Sequence, residues 1–328
     1  GICTQEYWKF VYICDKMDAG FFYWPACSAC FYMKYETVLE RQIGEMKNIT
    51  VKDIVNATGG FLLCGDEDTP IKGLCIDSRK AQAGDLFIPL LGNKVDGHRF
   101  IEPAMERASA TLTSEHDNVV ISEKPFIRVD DTMKALQAIG KDIRGRYDIP
   151  YIGVTGSVGK TTTREMIAAA VGTGRHCFQT NGNENSQIGV PMTLSRMTDG
   201  YDAAVIEMGI SEPGQMEILS DIVRPSICVV TMIGVAHIEF MKTQENIRDE
   251  KLSIVNHMKE NGLLLLNGDD PLLREIKDDM SCQTLTFGID EVCDFQGSDV
   301  QCGEQGMEFD CTHNDDTVHV VMDVLGKH

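Results

Sequence analysis

Short apolar runs separated by amphipathic stretches dominate the chain from residue 151 onward. Tyr151 to Thr155, Ala203 to Glu207, Ile227 to Thr231 and Leu263 to Leu266 lack polar alternation, as strands buried on both faces of a parallel sheet do. Between them, residues 161–171, 212–221 and 245–259 carry helical patterns. Strand–helix alternation of this kind predicts a doubly wound α/β sheet. After Asp270 the chain turns polar and strand-like, an added β region ending on residues 318–324.

The preceding stretch, residues 46–147, reads as a small N-terminal α/β domain. A short helix from Val51 to Thr58 is closed by Gly59-Gly60. Strand-like pieces follow at Leu74 to Ile76, Leu86 to Pro89, Ala110 to Thr113 and Pro125 to Val129. An amphipathic stretch spans Phe100 to Arg107, and Met133 to Arg146 reads as a helix. It leads into Tyr147-Asp148-Ile149-Pro150, the expected boundary with a central domain at 148–328. Residues 1–45 differ from both parts. They hold both tryptophans and four cysteines, with Cys27 and Cys30 at C-x-x-C spacing. That pair suits redox or metal chemistry, or simply lies in an aromatic segment that packs on something. Met46 opens like a fresh N-terminus, so 1–45 reads as an atypical extension or a misplaced start.

Charge narrows the function. Lys and Arg number 30 against 50 Asp and Glu, for a formal net charge of −20. Such a chain is a poor nucleic-acid binder and a poor match for anionic membranes. An anionic ligand must be held locally, by backbone amides, a few cations or a metal. No run approaches a membrane span, and no signal peptide is evident. The scattered cysteines then read as reduced thiols in a cytoplasmic protein.

One segment supplies such a local device: Gly153-Val154-Thr155-Gly156-Ser157-Val158-Gly159-Lys160-Thr161-Thr162-Thr163. It joins an apolar strand to a helix, the context a phosphate-binding loop (P-loop) requires. Its glycines let successive N–H groups face phosphate oxygens, and the helix N-terminus adds partial positive charge. Lys160 suits the β- and γ-phosphates, and the Thr161 hydroxyl suits Mg²⁺. The strict pattern places Gly where Val154 stands, so the loop is a variant. Glu207 closes an apolar run and belongs at the C-terminal edge of the sheet, as metal ligand or as solvated surface residue. His237 follows the next strand and is either a second ligand or structural.

Together these segments resemble the Mur ligases, ATP-dependent amide-bond ligases of bacterial peptidoglycan synthesis. Residues 155–167, TGSVGKTTTREMI, resemble the family's TGSNGKTTTKEMI. Residues 182–194, GNENSQIGVPMTL, resemble a segment of the branch that adds D-alanyl-D-alanine. Glu207-Met208-Gly209, the 233–239 segment with His237, and Lys251 fourteen residues after that histidine match as well. Asp77-Ser78-Arg79, residues 84–87 and Asp96-Gly97-His98 resemble the domain that holds the UDP-sugar.

The resemblance implies roles. Thr155, Gly156, Ser157, Gly159, Lys160, Thr161 and Thr162 would hold ATP phosphates. Asn183 and Asn185 would orient the nucleotide or the reacting groups. Thr161 and Glu207 would ligate one Mg²⁺, and His237 a second. Lys251 matches a lysine carbamylated in several such ligases, though in Arg248-Asp249-Glu250-Lys251 it also reads as a plain helix-surface residue. Lys160, Lys251, His237 and Asn185 are the implied catalytic set. Asp77, Ser78, Arg79, Asp96, Gly97 and His98 would contact the UDP-linked muramyl peptide. The implied enzyme, a monomer, phosphorylates the peptide carboxylate, and the amine of D-alanyl-D-alanine then attacks the acyl phosphate.

Departures from the family pattern are Val158, Ser186 and the end of the chain. Residues 324–328 resemble the start of a segment that continues, in the family, into a helix and a third domain. The chain is therefore expected to be a fragment without ligation activity and with most of the D-alanyl-D-alanine site missing. Alternatives are a non-catalytic nucleotide- or UDP-sugar-binding remnant, and a sibling ligase adding lysine, diaminopimelate or glutamate to folate. An unrelated P-loop kinase or GTPase would need a base-reading motif downstream of the loop, such as N-K-x-D, and none follows it.

Overall fold

The computed structural model describes residues 31–33, 49–92, 95–115, 122–303 and 306–322. Apart from the strand Phe31–Met33, the atypical 1–45 segment and its C-x-x-C pair lie outside the described residues, as do residues 324–328. Two compact units emerge. One holds Glu40–Asp148 and Gln187–Gly200; the other holds Ile149–Ser186, the chain from Tyr201 and the strand Phe31–Met33, which pairs parallel with Asp316–Met322.

The unit from Ile149 is built on a ten-stranded sheet. Six parallel strands form its body, in the spatial order Cys177–Gln179, Ala203–Glu207, Tyr151–Thr155, Ile227–Val230, Leu263–Asn267, Gln283–Gly288. The first strand in sequence thus lies between the third and the fourth, and chain direction across the sheet reverses at Tyr151–Thr155. Every residue of Tyr151–Thr155, Ala203–Glu207 and Leu263–Asn267 is buried, because helices cover both faces. The apolar runs seen in sequence are these strands. Ile152, Val154, Ile167, Val205, Val229, Leu265 and Phe287 form their common core.

Beyond Gln283–Gly288 the character changes. Phe295–Gly303 still joins in parallel, but Gly306–His313 and Asp316–Met322 pair antiparallel. Buried and half-exposed residues alternate along Gly306–His313, as expected where one face packs and the other meets solvent. The helical pattern of 245–259 is shorter than its sequence suggests. The helix ends at Leu252 and a 3₁₀ turn, Ser253–Val255, follows.

In the other unit a five-stranded sheet runs Phe61–Cys64, Phe126–Arg128, Ala110–Thr113, Asp85–Phe87, Gly73–Cys75. Only the Phe61–Cys64 edge pairs antiparallel. The expected helix near the boundary is Thr132–Gly145, and Asp131 caps it by accepting from the Met133 and Lys134 amides. Residues 187–200 pack here, which chain order does not foretell. The helix Gly189–Leu194 lies so close that a Cβ on Gly140 would sit 2.8 Å from Pro191 Cβ. Ile188 and Met192 join the same core as Leu136 and Ile139. Among the described residues, no helix is long and apolar enough to cross a membrane.

Candidate active site

In open α/β sheets ligands usually lie at the C-terminal ends of the strands where strand order reverses. The loop after Thr155 starts at that position. Gly156 has φ 152°, and a Cβ there would stand 1.8 Å from Thr231 Oγ1, so only glycine fits. Gly159, at φ 85°, turns the chain into the helix Lys160–Gly172. Lys160 Nζ donates to Gly156 O at 2.9 Å, folding over its own loop.

Glu207 ends the adjacent strand and is 1 % exposed. Its carboxylate is shared. Thr161 Oγ1 donates to Oε2 at 2.9 Å and Asn185 Nδ2 donates to Oε1 at 2.7 Å. Its own amide donates to Thr180 Oγ1, and Arg164 NH1 lies 3.6 Å from Oε2. Arg164 is equally buried and donates to Gly182 O at 3.0 Å, which steadies the loop bearing Asn185. Sequence reasoning passed over Arg164 and Thr180. A signal existed for the arginine: position 164 shares the apolar face of its helix with Ile167, Ala168 and Val171, where a charge needs a partner.

Buried polar atoms without a hydrogen-bond partner are rare in folded proteins. Here Thr155 Oγ1, Ser157 Oγ and Arg164 Nε have none, and all three belong to the loop or its helix. A ligand rich in oxygen acceptors would satisfy them. Thr161 and Glu207 are hard oxygen donors of the kind Mg²⁺ takes, so the residues fit that ion.

Lys251 is 3 % exposed on the helix Gln244–Leu252. Burial, helped by the nearby Lys160 charge and opposed by Glu250, pulls its ammonium down to about 7. A large share of the side chain is therefore a neutral amine near pH 7. Glu250 fixes this helix by accepting from the Gly214 and Met216 amides, both at 2.9 Å. The surface-lysine reading does not survive this burial. His237 sits in the left-handed region at φ 65°, exposed, at the start of Ile238–Met241. Asn183 and Thr162 are also exposed. Among the described residues, no hydrogen bond joins the side chains of His237 or Asn183 to the Glu207 cluster.

The motifs expected to meet the UDP-sugar lie in the other unit: residues 85–87 are one of its parallel strands, and Asp77–Arg79 and Asp96–His98 follow the C-terminal ends of such strands. Asp77 follows Gly73–Cys75 and caps the turn Ser78–Lys80. Arg79 grips it with two bonds, Nε to Oδ1 at 2.9 Å and NH2 to Oδ2 at 2.8 Å, which holds the Asp77 carboxyl down at about 2. His98 is buried beyond Asp85–Phe87. The Ser114 amide donates to its Nε2 at 3.1 Å, so Nδ1 carries the proton and donates to Asp96 at 2.7 Å. Gly97 donates its amide to Leu90 O. Asp96, His98 and Glu115 place ligand atoms within 4.8 Å of one another, but both ring nitrogens of His98 already serve hydrogen bonds. N-K-x-D spacing does occur upstream, at 93–96. There Asp96 is committed to His98 and belongs to the unit without the phosphate loop.

Comparison with known families decides the lineage. The sequence profile of the Mur ligase middle domain matches residues 154–328, and that of the Mur ligase family catalytic domain matches 70–144. The chain belongs to the Mur ligase family. It is 39 % identical, over 85 % of its length, to UDP-N-acetylmuramoyl-tripeptide–D-alanyl-D-alanine ligase of Bacillus subtilis strain 168, of which it covers 60 %. A crystal structure of MurF from Acinetobacter baumannii superposes with TM-score 0.80 at 27 % identity, over 87 % of this chain and 62 % of that one. MurF ligase from Thermotoga maritima, solved in complex with ADP, gives TM-score 0.69 at 30 % identity, over 77 % of this chain and 58 % of that one. The chain thus spans about three-fifths of the length of the relatives it matches. The α/β fold expected from sequence, with its mainly parallel central sheet, is the Mur ligase arrangement.

Proposed function

We propose that this chain carries the ATP and UDP-sugar portions of an ATP-dependent amide-bond ligase that joins D-alanyl-D-alanine to UDP-N-acetylmuramoyl-tripeptide. The carrying observation is the set of groups gathered at the strand reversal. There a glycine loop, Lys160, the Thr161–Glu207 pair at 2.9 Å and the buried Lys251 converge beside unpartnered hydroxyls. The ligase activity for which the Bacillus relative is named and the ADP bound to the Thermotoga one support this reading.

In this reading the amides of Val158 to Thr161 and the hydroxyls of Thr155 and Ser157 cradle the phosphates of ATP, while the Ser157 amide holds the loop to Met232 O. Lys160 leaves Gly156 O and meets the β- and γ-phosphates, and Thr162 and Asn183 line the same approach. Mg²⁺ held by Thr161 and Glu207 would supply charge neutralisation for the transferring phosphoryl group. Asn185 holds Glu207 in orientation and faces the reacting carboxylate. The neutral Lys251 amine attacks CO₂ at carbon and releases a proton to solvent, leaving a carbamate. That anion and His237 would hold a second Mg²⁺, through oxygen and nitrogen donors. Asp77, Ser78, Arg79, Asp96, Gly97 and His98 shape the UDP-sugar site. The peptide carboxylate takes the γ-phosphoryl group, ADP leaves, and the dipeptide amine displaces phosphate from the acyl carbon.

Titration of the purified chain with a fluorescent ADP analogue and Mg²⁺ tests the nucleotide site. Saturable binding is the expected result. Its absence, or its persistence unchanged in Lys160→Ala, overturns the reading.

A further inference from the structure

Asp270 lies outside every motif described so far, yet it is 6 % exposed and engaged on two sides. Oδ1 caps the helix Pro271–Glu275, accepting from Leu272 N at 2.9 Å and Leu273 N at 3.4 Å. Oδ2 accepts from Ile233 N at 2.6 Å. Ile233 belongs to the loop that leads from Ile227–Val230 to His237. The two residues before it hold the phosphate loop. Thr231 Oγ1 donates to Val158 O at 2.6 Å, and Ser157 N donates to Met232 O at 2.7 Å. Thr231 is also the side chain against which Gly156 is packed.

From these contacts we infer that Asp270 is a positioning residue for the nucleotide site. Its second oxygen fixes the backbone of 231–233, and that backbone fixes the carbonyl of Val158 and the amide of Ser157. The chain of bonds therefore sets the curvature of the phosphate cradle and the start of the loop bearing His237. The inference rests on the nucleotide reading above and extends it to a residue more than 100 positions downstream of the phosphate loop.

Asp270→Ser separates the two tasks. Serine is a good N-cap, so the helix Pro271–Glu275 keeps its start, but one short hydroxyl cannot also serve Ile233. Hydrogen exchange in the full chain, without ligand, reads the cradle directly. The Ser157 amide should exchange about tenfold faster in Asp270→Ser, as should Ile233, with the Leu272 and Leu273 amides little changed. The fluorescent ADP analogue with Mg²⁺ should bind about tenfold more weakly. A residue that only capped its helix would leave Ser157 exchange and nucleotide affinity at wild-type values, and that result overturns the inference. Failure of the wild-type chain to bind nucleotide overturns the inference together with the reading beneath it. Should Asp270→Ser not fold, Thr231→Val keeps side-chain shape and removes only the bond to Val158. A several-fold loss of affinity supports the brace, and no change overturns it.

Discussion

The two strand-end edges proposed above as ligand sites are built in opposite ways. Both lie where parallel strands end, as open α/β sheets dictate. In the unit from Ile149, polar groups at that edge are buried and left open: Thr155 Oγ1, Ser157 Oγ and Arg164 Nε lack partners, and Lys251 is stripped of water. In the other unit the motif side chains satisfy one another. Arg79 closes on Asp77, and His98 is fastened between Asp96 and Ser114. The first edge stores unmet electrostatic demand for a ligand to fill. The second spends its polar groups on shaping turns. Substitutions should therefore fail differently, through binding where a side chain is left open, as at Lys160, and through local stability where buried bonds are lost, as at His98.

The largest effect falls on Lys160. Lys160→Ala should lower Mg²⁺-dependent nucleotide affinity at least a hundredfold while the melting temperature holds, since the side chain contacts its own loop; calorimetric titration and a thermal melt check both. Glu207→Gln comes next. It removes the charge beside Arg164 and one hard ligand, so about tenfold weaker nucleotide binding in Mg²⁺, with little change in EDTA, is the expected pattern.

Lys251 offers a test through pH. Its folded-state value near 7 lies below the ordinary 10.5, so the unfolded chain binds this proton more tightly. Stability from this residue is lost as pH falls from about 10.5 to 7 and changes no further below that. Lys251→Met should remove this slope and raise stability at pH 7 by up to about 5 kcal/mol, measured by urea unfolding in CO₂-free buffer. A carbon-13 carbamate resonance that appears with labelled bicarbonate and vanishes in Lys251→Met would show the modification itself.

Smaller effects belong to the second unit. His98→Ala leaves the Ser114 amide and Asp96 without their partner and should cost about 1–3 kcal/mol, with nucleotide affinity unchanged. Arg79→Ala, at an exposed site, should leave the melting temperature alone and weaken only binding of the UDP-sugar. Loss of nucleotide binding in either variant would erase the contrast between the edges.

Much of this was legible before any coordinates. Continuous apolar runs announced the buried strands because parallel strands bury both faces, and Tyr151–Thr155 and Ala203–Glu207 fall where the runs do. The phosphate loop was readable because its chemistry is local. What the pattern hid is non-local. Gln187–Gly200 joins the second unit, where Pro191 meets Gly140, a contact with no sequence signature. Asp270 announces itself as a helix cap before Pro271, but its second oxygen reaches back to Ile233, which only the fold can bring near. Arg164 stands between these cases, a charge on an apolar helical face and a visible anomaly, whose partner Glu207 only the fold supplies.

Hydrogen exchange of the wild-type chain with and without Mg²⁺ and ADP tests the central claim most directly. Slower exchange confined to the amides of 156–161 and their brace at 231–233, with 77–98 unchanged, is the expected outcome. Protection concentrated at 77–98, or none in either unit, would contradict a nucleotide site at the strand reversal.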